Sequence, residues 1–211
     1  MAYVSYWDDW GSRWLENLES LSTKPDRIML LSDEKKDVPS WVENIAIGRR
    51  HMSQYVNIGA QLAETEWVCW QGLDDLYLDN AFLPFDESGD VYSYPLLLAG
   101  MMQGIFQYSG GYEQMYNLGH NPMLGGFFHR RSLVLEIPYR RYGWLDQIQF
   151  IEMSWFGKKV VFSDVPRGIF YRHANAHSIA GNPLFEEEAQ QFREKITSGQ
   201  IEKGVPELDR I

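Results

Sequence analysis

The sequence predicts an α/β fold, a single domain with a mostly parallel central sheet flanked by helices. Three observations carry this. Short runs rich in β-branched and aromatic residues alternate with stretches of helical period through the first part of the chain. The run Trp67–Leu73 reads as a strand buried on both faces, as central parallel strands are. A strand–helix–strand order calls for parallel pairing.

Residues 2–7, AYVSYW, read as the first strand. Ser12 is placed to cap a helix with Trp14, Leu15, Leu18 and Leu21 on one face, and Pro25–Asp26 breaks it. Arg27–Ser32 is the second buried strand; it ends at Asp33 and gives way to a charged loop up to Pro39. Residues 49–63 form the next helix, with Met52, Val56, Gly59 and Ala63 near one face. The third strand, Trp67–Leu73, runs into Asp74–Asp75, and Gly89–Asp90 turns into an extended run, Val91–Leu98. Residues 103–122, rich in Gly, Tyr, Asn and Gln, read as a loop or lid. Trp144–Gly157 is a helix burying Ile148, Ile151 and Trp155, and Lys158–Phe162 is a short strand. Phe185 opens an amphipathic helix that ends at Gly199. The domain is taken as residues 1–185, with a C-terminal helix and tail over 186–211.

Composition narrows the class. The 211 residues suit one domain with a sizeable core. An aromatic content of 15% fits either core filling or a pocket for flat and ring-shaped ligands. The net charge of −10 is uneven: residues 1–127 carry 7 Lys/Arg against 18 Asp/Glu, whereas residues 128–185 carry 8 against 4. The basic stretch holds Arg130, Arg131, Arg140, Arg141, Lys158, Lys159, Arg167 and Arg172. It reads as a solvated face or as a surface that meets phosphate. A lone Cys69 excludes an intrachain disulfide and a zinc-finger site, and fits a reducing cytoplasm. The N-terminus lacks a signal-peptide pattern, and the apolar stretch Pro95–Met102 is too short to span a bilayer.

In open α/β sheets ligands bind beyond the C-terminal strand ends. The predicted strands end there in Tyr6–Asp9, Asp33–Glu34 and Asp74–Asp75. Each acid also suits a cap or turn. Two adjacent carboxylates repel, and a divalent cation removes that penalty; oxygen ligands with a substrate diphosphate suit Mg²⁺ or Mn²⁺.

The segment NIGAQLAETEWVCWQGLDDLYLDNAF, residues 57–82, resembles the core of the family 2 glycosyltransferases of GT-A fold: Asn57, Gly59, Ala63 and the Asp pair fall at the family's spacing. Gly72 stands where the family often has the first Asp of its acidic motif. GGFFHRR, residues 125–131, is similar to the Gly-Gly-aromatic segment that lines donor sugar and acceptor, which assigns Gly125 and Gly126 to the donor site. GWLDQIQF, residues 143–150, resembles the segment carrying the catalytic base; Leu145 replaces a Glu and Asp146 holds the base position. YRHANAHS, residues 171–178, is similar to the family's late histidine loop, with His173 as the metal ligand and His177 second. Further along the same resemblance, Tyr6 flanks the nucleotide base unless it is a core aromatic. Asp33 accepts from the base edge, and Arg49 or Arg50 approaches the diphosphate. His51, His120 and His129 are read as surface or structural residues.

The resemblance implies a hexosyl- or pentosyltransferase using a nucleotide-sugar, with a UDP-sugar as the expected donor. Asp75, Asp74 and His173 would hold Mn²⁺ or Mg²⁺, and Asp146 would act as base with inversion. The acceptor is a glycan, a protein, a small molecule or a modified DNA base, and the compact length suits a bacterial or phage-type enzyme acting in the cytoplasm. Two rivals stand beside it. One is an inactive nucleotide-sugar-binding module, supported by Gly72 and Leu145. The other is a nucleotidyltransferase, weakened because YWDDWGSRW holds no glycine-rich phosphate loop.

Overall fold

The computed structural model describes residues 7–101, 103–106, 126–142, 145–172 and 183–201. Along them run α1 (Trp7–Ser20), β1 (Met29–Ser32), β2 (Glu43–Ala46), α2 (Met52–Leu62), β3 (Trp67–Cys69), β4 (Leu76–Tyr77), β5 (Val91–Ser93), β6 (Leu96–Gly100) and β7 (Gly104–Phe106). Then come β8 (Phe127–Arg130), α3 (Arg131–Glu136), α4 (Leu145–Trp155), β9 (Val160–Phe162), β10 (Gly168–Arg172) and α5 (Pro183–Thr197).

Among the described residues the strands pair as β1-β2, β3-β8-β5-β9 and β4-β10-β6-β7. β1 with β2, β5 with β9 and β6 with β10 are parallel. β3 with β8, β5 with β8, β4 with β10 and β6 with β7 are antiparallel. The sheets are therefore mixed, which corrects the expectation of a mostly parallel one. The departure has a physical source: β8 enters between β3 and β5 from far along the chain, so no short crossover helix fixes its direction.

Three element boundaries also differ from the expected ones. Trp7 opens α1 instead of closing a strand, and Ser12 lies inside that helix instead of capping it; residues 2–6 lie outside the described residues. β3 stops at Cys69, because Gly72–Asp75 closes a turn in which the Asp75 N–H donates to the Gly72 carbonyl (3.2 Å). The run Val91–Leu98 is two strands in two sheets, divided at Pro95, which has no N–H to give a ladder.

Helix α2 shows how local sequence positions the site. His51 and Gln54 form a capping box, His51 accepting from Ser53 N–H (3.3 Å) and Gln54 Oε1 accepting from His51 N–H (3.2 Å). Val56, Ala60 and Ala63 then bury against Val68 of β3 and Val134 of α3. At Gly59 a Cβ would stand 3.0 Å from Leu31 Cδ1, so glycine lets α2 lie close on β1. Asn57 clamps a distant segment: its Nδ2 donates to the Tyr139 carbonyl (2.8 Å) and its Oδ1 accepts from Tyr139 N–H (2.8 Å).

Helix α4 is anchored on both sides. Ile148 and Ile151 pack against Ala189, Phe192 and Ile196 of α5, while Phe150 and Met153 pack against Val91, Phe127 and Leu133. Glu152 accepts from Arg140 Nε (2.8 Å) and Nη2 (2.7 Å), a two-pronged ion pair with both side chains buried. Gln149 Nε2 donates to the Ile137 carbonyl (3.0 Å). Among the described residues no helix is long and apolar enough to cross a membrane.

Candidate functional site

The turn after β3 is the hub of the candidate site. Helix α1 holds it from one side. Trp14 Nε1 donates to Gln71 Oε1 (3.1 Å), Asn17 Nδ2 donates to the Tyr77 carbonyl (2.9 Å), and Tyr77 N–H donates to Asn17 Oδ1 (2.8 Å). Arg167 holds the far side. Buried, it donates through Nη1 to the carbonyls of Asn80 (3.0 Å), Ala81 (2.9 Å) and Leu83 (2.7 Å), and through Nη2 to that of Pro84 (3.1 Å).

Within this frame the two acids meet. A Cβ placed on Gly72 would stand 2.6 Å from Asp74 Oδ1 and 3.4 Å from Asp75 Oδ2. The Asp74 carboxylate folds over the bare glycine, so a side chain at position 72 would displace it, while Asp75 stands at van der Waals distance. Asp75 Oδ1 accepts from Tyr171 N–H on β10 (3.1 Å). Burial, and then the Asp74 charge, hold the Asp75 carboxyl well above the usual carboxylate range, against the pull of that hydrogen bond. A cation bound between the carboxylates would reverse the balance, and hard oxygen donors fit Mg²⁺ or Mn²⁺. Among the described residues no group of three or more His, Cys, Asp or Glu is arranged to hold a metal, so further ligands would come from elsewhere in the chain or from the substrate.

Asp146 lies in the first turn of α4, with Oδ1 accepting from Gln147 N–H (3.0 Å). Burial pushes its carboxyl up to about 7, although backbone hydrogen bonds favour the charged form. The neighbouring Leu145 packs in one apolar cluster with Val134 and Tyr139. The Asp146 charge is felt at Tyr139, whose hydroxyl is raised chiefly by burial and lies against the Trp70 indole. Tyr139 Oη also meets His129 Nε2 at 3.3 Å. Asp146 and Tyr139 are therefore electrostatic neighbours, and Trp70, which packs in the same cluster as Tyr139, precedes the acidic turn in the chain.

Asp33 follows β1, and its Oδ1 is buried without a hydrogen-bond partner among the described residues. Its charge reaches Tyr55, whose hydroxyl is raised mainly by burial and donates to the Gly48 carbonyl (2.9 Å). Tyr55, Ser32, Trp70 and Gln71 line one cleft of about 180 Å³ between β1 and β3.

The remaining expected residues divide. Arg50 is exposed on the β2–α2 loop, its Nε donating to the Ile47 carbonyl (2.8 Å). Gly126 is buried, its carbonyl accepting from Tyr94 N–H (3.0 Å), which is a sheet contact. Tyr6, Gly125, His120, His173 and His177 lie outside the described residues. His51 caps α2, and His129 is fully buried with its imidazole pushed down to about 3 by desolvation.

Much of the basic stretch is spent inside the fold. Arg140 and Arg167 are buried, Arg130 pairs with Glu66, Arg131 donates to the Ala60 carbonyl (2.8 Å), and Lys158 pairs with Glu136 at 2.5 Å. Sequence reading did not identify Trp70, Tyr139 or Arg13 as site residues. Their signals are pairwise and long-range, as with Asn57 holding Tyr139, and no local pattern carries them.

No family model matches the sequence. No curated protein sequence matches it either. Solved structures do. The S. aureus protein TarS, residues 1–349 in complex with UDP-GlcNAc, superposes with a TM-score of 0.62 at 15% identity, covering 90% of this chain and 64% of that one. A second TarS structure gives 0.63 at 12% identity, covering 92% and 38%. TarS residues 1–349 in complex with UDP give 0.54 at 12%, covering 89% and 68%. This chain thus spans less than two thirds of the first of these, and what it shares with them is the fold of a GT-A-like glycosyltransferase domain.

Proposed function

We propose that this chain is a glycosyltransferase that moves a hexosyl or pentosyl group from a UDP-sugar to an acceptor hydroxyl with inversion. The observation that carries the reading is Asp146. Its carboxyl, in the first turn of α4, is pushed up to about 7 by burial, and a base is most effective with a pKa near the working pH. The likeness to TarS, a structure holding UDP-GlcNAc, supports the donor class.

In this reading Asp33 accepts from the base edge, since its buried Oδ1 has no partner among the described residues. By the resemblance to family 2 glycosyltransferases, Arg50 would approach the diphosphate, and Gly125 and Gly126 would border the donor sugar. Asp74 and Asp75, with His173 by resemblance, would hold Mn²⁺ or Mg²⁺, which supplies positive charge against the diphosphate. The acceptor oxygen attacks the anomeric carbon as the bond to the diphosphate oxygen breaks. Asp146 takes the hydroxyl proton, and the electron pair leaves with UDP.

Gly72 weighs against an inactive module: the missing acid is the space into which the Asp74 carboxylate folds. Gly72→Ala is expected to raise the manganese concentration needed for half-maximal UDP stabilisation by about tenfold or more, the usual size of an outer-ligand defect. A thermal-shift titration reads it; an unchanged requirement would remove that argument. The internal use of the basic residues favours an acceptor other than DNA. The function itself is tested by release of UDP from a panel of UDP-sugars with Mn²⁺. Metal-stimulated release supports it, and no release from any donor or acceptor mixture would count against it.

A further inference from the structure

We infer that Arg13 of α1 is a diphosphate-binding residue of the donor site, an inference that rests on the glycosyltransferase reading above. On α1, Trp10, Arg13, Trp14 and Asn17 share one face, at the spacing of successive helical neighbours. Trp14 and Asn17 grip the acidic turn, as described. Trp10 and Arg13 reach further, to β10.

There the Arg13 guanidinium lies over the Tyr171 ring at 4.6 Å and the Trp10 ring at 5.1 Å, and those two rings are themselves 5.4 Å apart. The rings fix the plane of the guanidinium and attract its charge. Tyr171 is the residue whose N–H holds Asp75, so the cation stands one residue from the paired acids. Yet Arg13 is half-buried, and among the described residues its guanidinium has no carboxylate or carbonyl acceptor. This sets it apart from Arg27, Arg130, Arg131, Arg140 and Arg167, each of which donates to an acceptor in the fold.

An arginine carries five N–H donors in a rigid fork, and stacking on rings leaves the in-plane donors open. A half-buried cation with open donors beside an acidic turn fits a ligand that brings its own anion. A nucleoside diphosphate does this, since its phosphate oxygens accept from the fork in two places. Arg13 would then stabilise the charge that gathers on the diphosphate as the sugar leaves.

The test compares UDP with uridine on wild type, Arg13→Gln and Arg13→Lys, by calorimetry with Mn²⁺, alongside the melting temperature of each protein alone. Arg13→Gln is expected to weaken UDP by about tenfold or more, the scale of a charge-assisted hydrogen bond, while leaving uridine unchanged. Arg13→Lys should recover part of the UDP affinity and little of the two-pronged geometry. Equal UDP affinity in Arg13→Gln and wild type would overturn the inference alone. Equal loss of UDP and uridine, with a lowered melting temperature, would assign Arg13 to packing and overturn it too. A wild type that binds neither ligand would remove the donor-site reading, and the role of Arg13 with it.

Discussion

Asp146→Asn is expected to lower sugar transfer by about 10²- to 10⁴-fold while leaving UDP affinity within about threefold of wild type, because only the proton acceptor is lost. The substitution keeps the shape and the hydrogen bond from Gln147 N–H. It also removes a carboxyl whose ionisation burial opposes. Two readings follow on one assay. In wild type, transfer should rise with pH through about 7 and level off above it, since the base acts unprotonated. The stability contribution of the same group has the opposite sense. Its folded pKa lies above the ordinary value of 3.8, so the folded state binds the extra proton, and stability falls as pH rises from about 4 to about 7. A transfer rate that is flat across pH 6–8 in wild type, or retained in Asp146→Asn, would take the base role away from Asp146.

Glu152→Ala is expected to cost about 3–5 kcal/mol of stability, because it leaves the Arg140 guanidinium buried without its carboxylate. Arg140 and Glu152 are 4% and 1% exposed, so water cannot take the place of the lost partner. The pair ties the segment after Ile137 to α4, the helix that carries Asp146, so activity should fall with stability. Urea unfolding measures the loss. Replacing both partners with apolar residues of similar volume should recover much of it, since the penalty comes from the unpaired charge. A Glu152→Ala protein within about 1 kcal/mol of wild type would mean that the pair is not closed in solution.

The elements that were legible in the sequence are those with strong local periodicity. Met29–Ser32, α2 and α4 fall where apolar spacing put them, within a few residues at each end. α5 follows its apolar pattern too, and packs Phe192 and Ile196 onto α4. The strands β2, β4, β7 and β8 were not identified. Each is two to four residues long and takes its identity from a partner far along the chain, as when Trp67 lies opposite Arg130. The same limit produced the wrong expectation for sheet direction. Local sequence sets a strand's faces, while direction depends on where the chain returns.

The site divides the same way. Asp33, Asp74, Asp75 and Asp146 announce themselves as acids after strands or at a helix start. Position 72 suits glycine because the Asp74 side chain folds back over it, a contact that exists only in three dimensions. Asn57 was noticed for its spacing, yet its work is to hold Tyr139, a contact across the fold. Arg13 sits on a helix whose pattern shows a core face and gives no sign of the ring pair that receives the guanidinium.

The central claim is that a nucleotide diphosphate binds at the acidic turn with a metal. Calorimetry of UDP on wild type and Asp75→Asn, each with and without Mn²⁺, tests it most directly. Asn keeps the shape of the side chain and an oxygen for Tyr171 N–H, so the fold is expected to stand. The account predicts tight UDP binding only in wild type with Mn²⁺, and a drop of about 10- to 100-fold in Asp75→Asn. UDP binding that ignores both the metal and the substitution would contradict it.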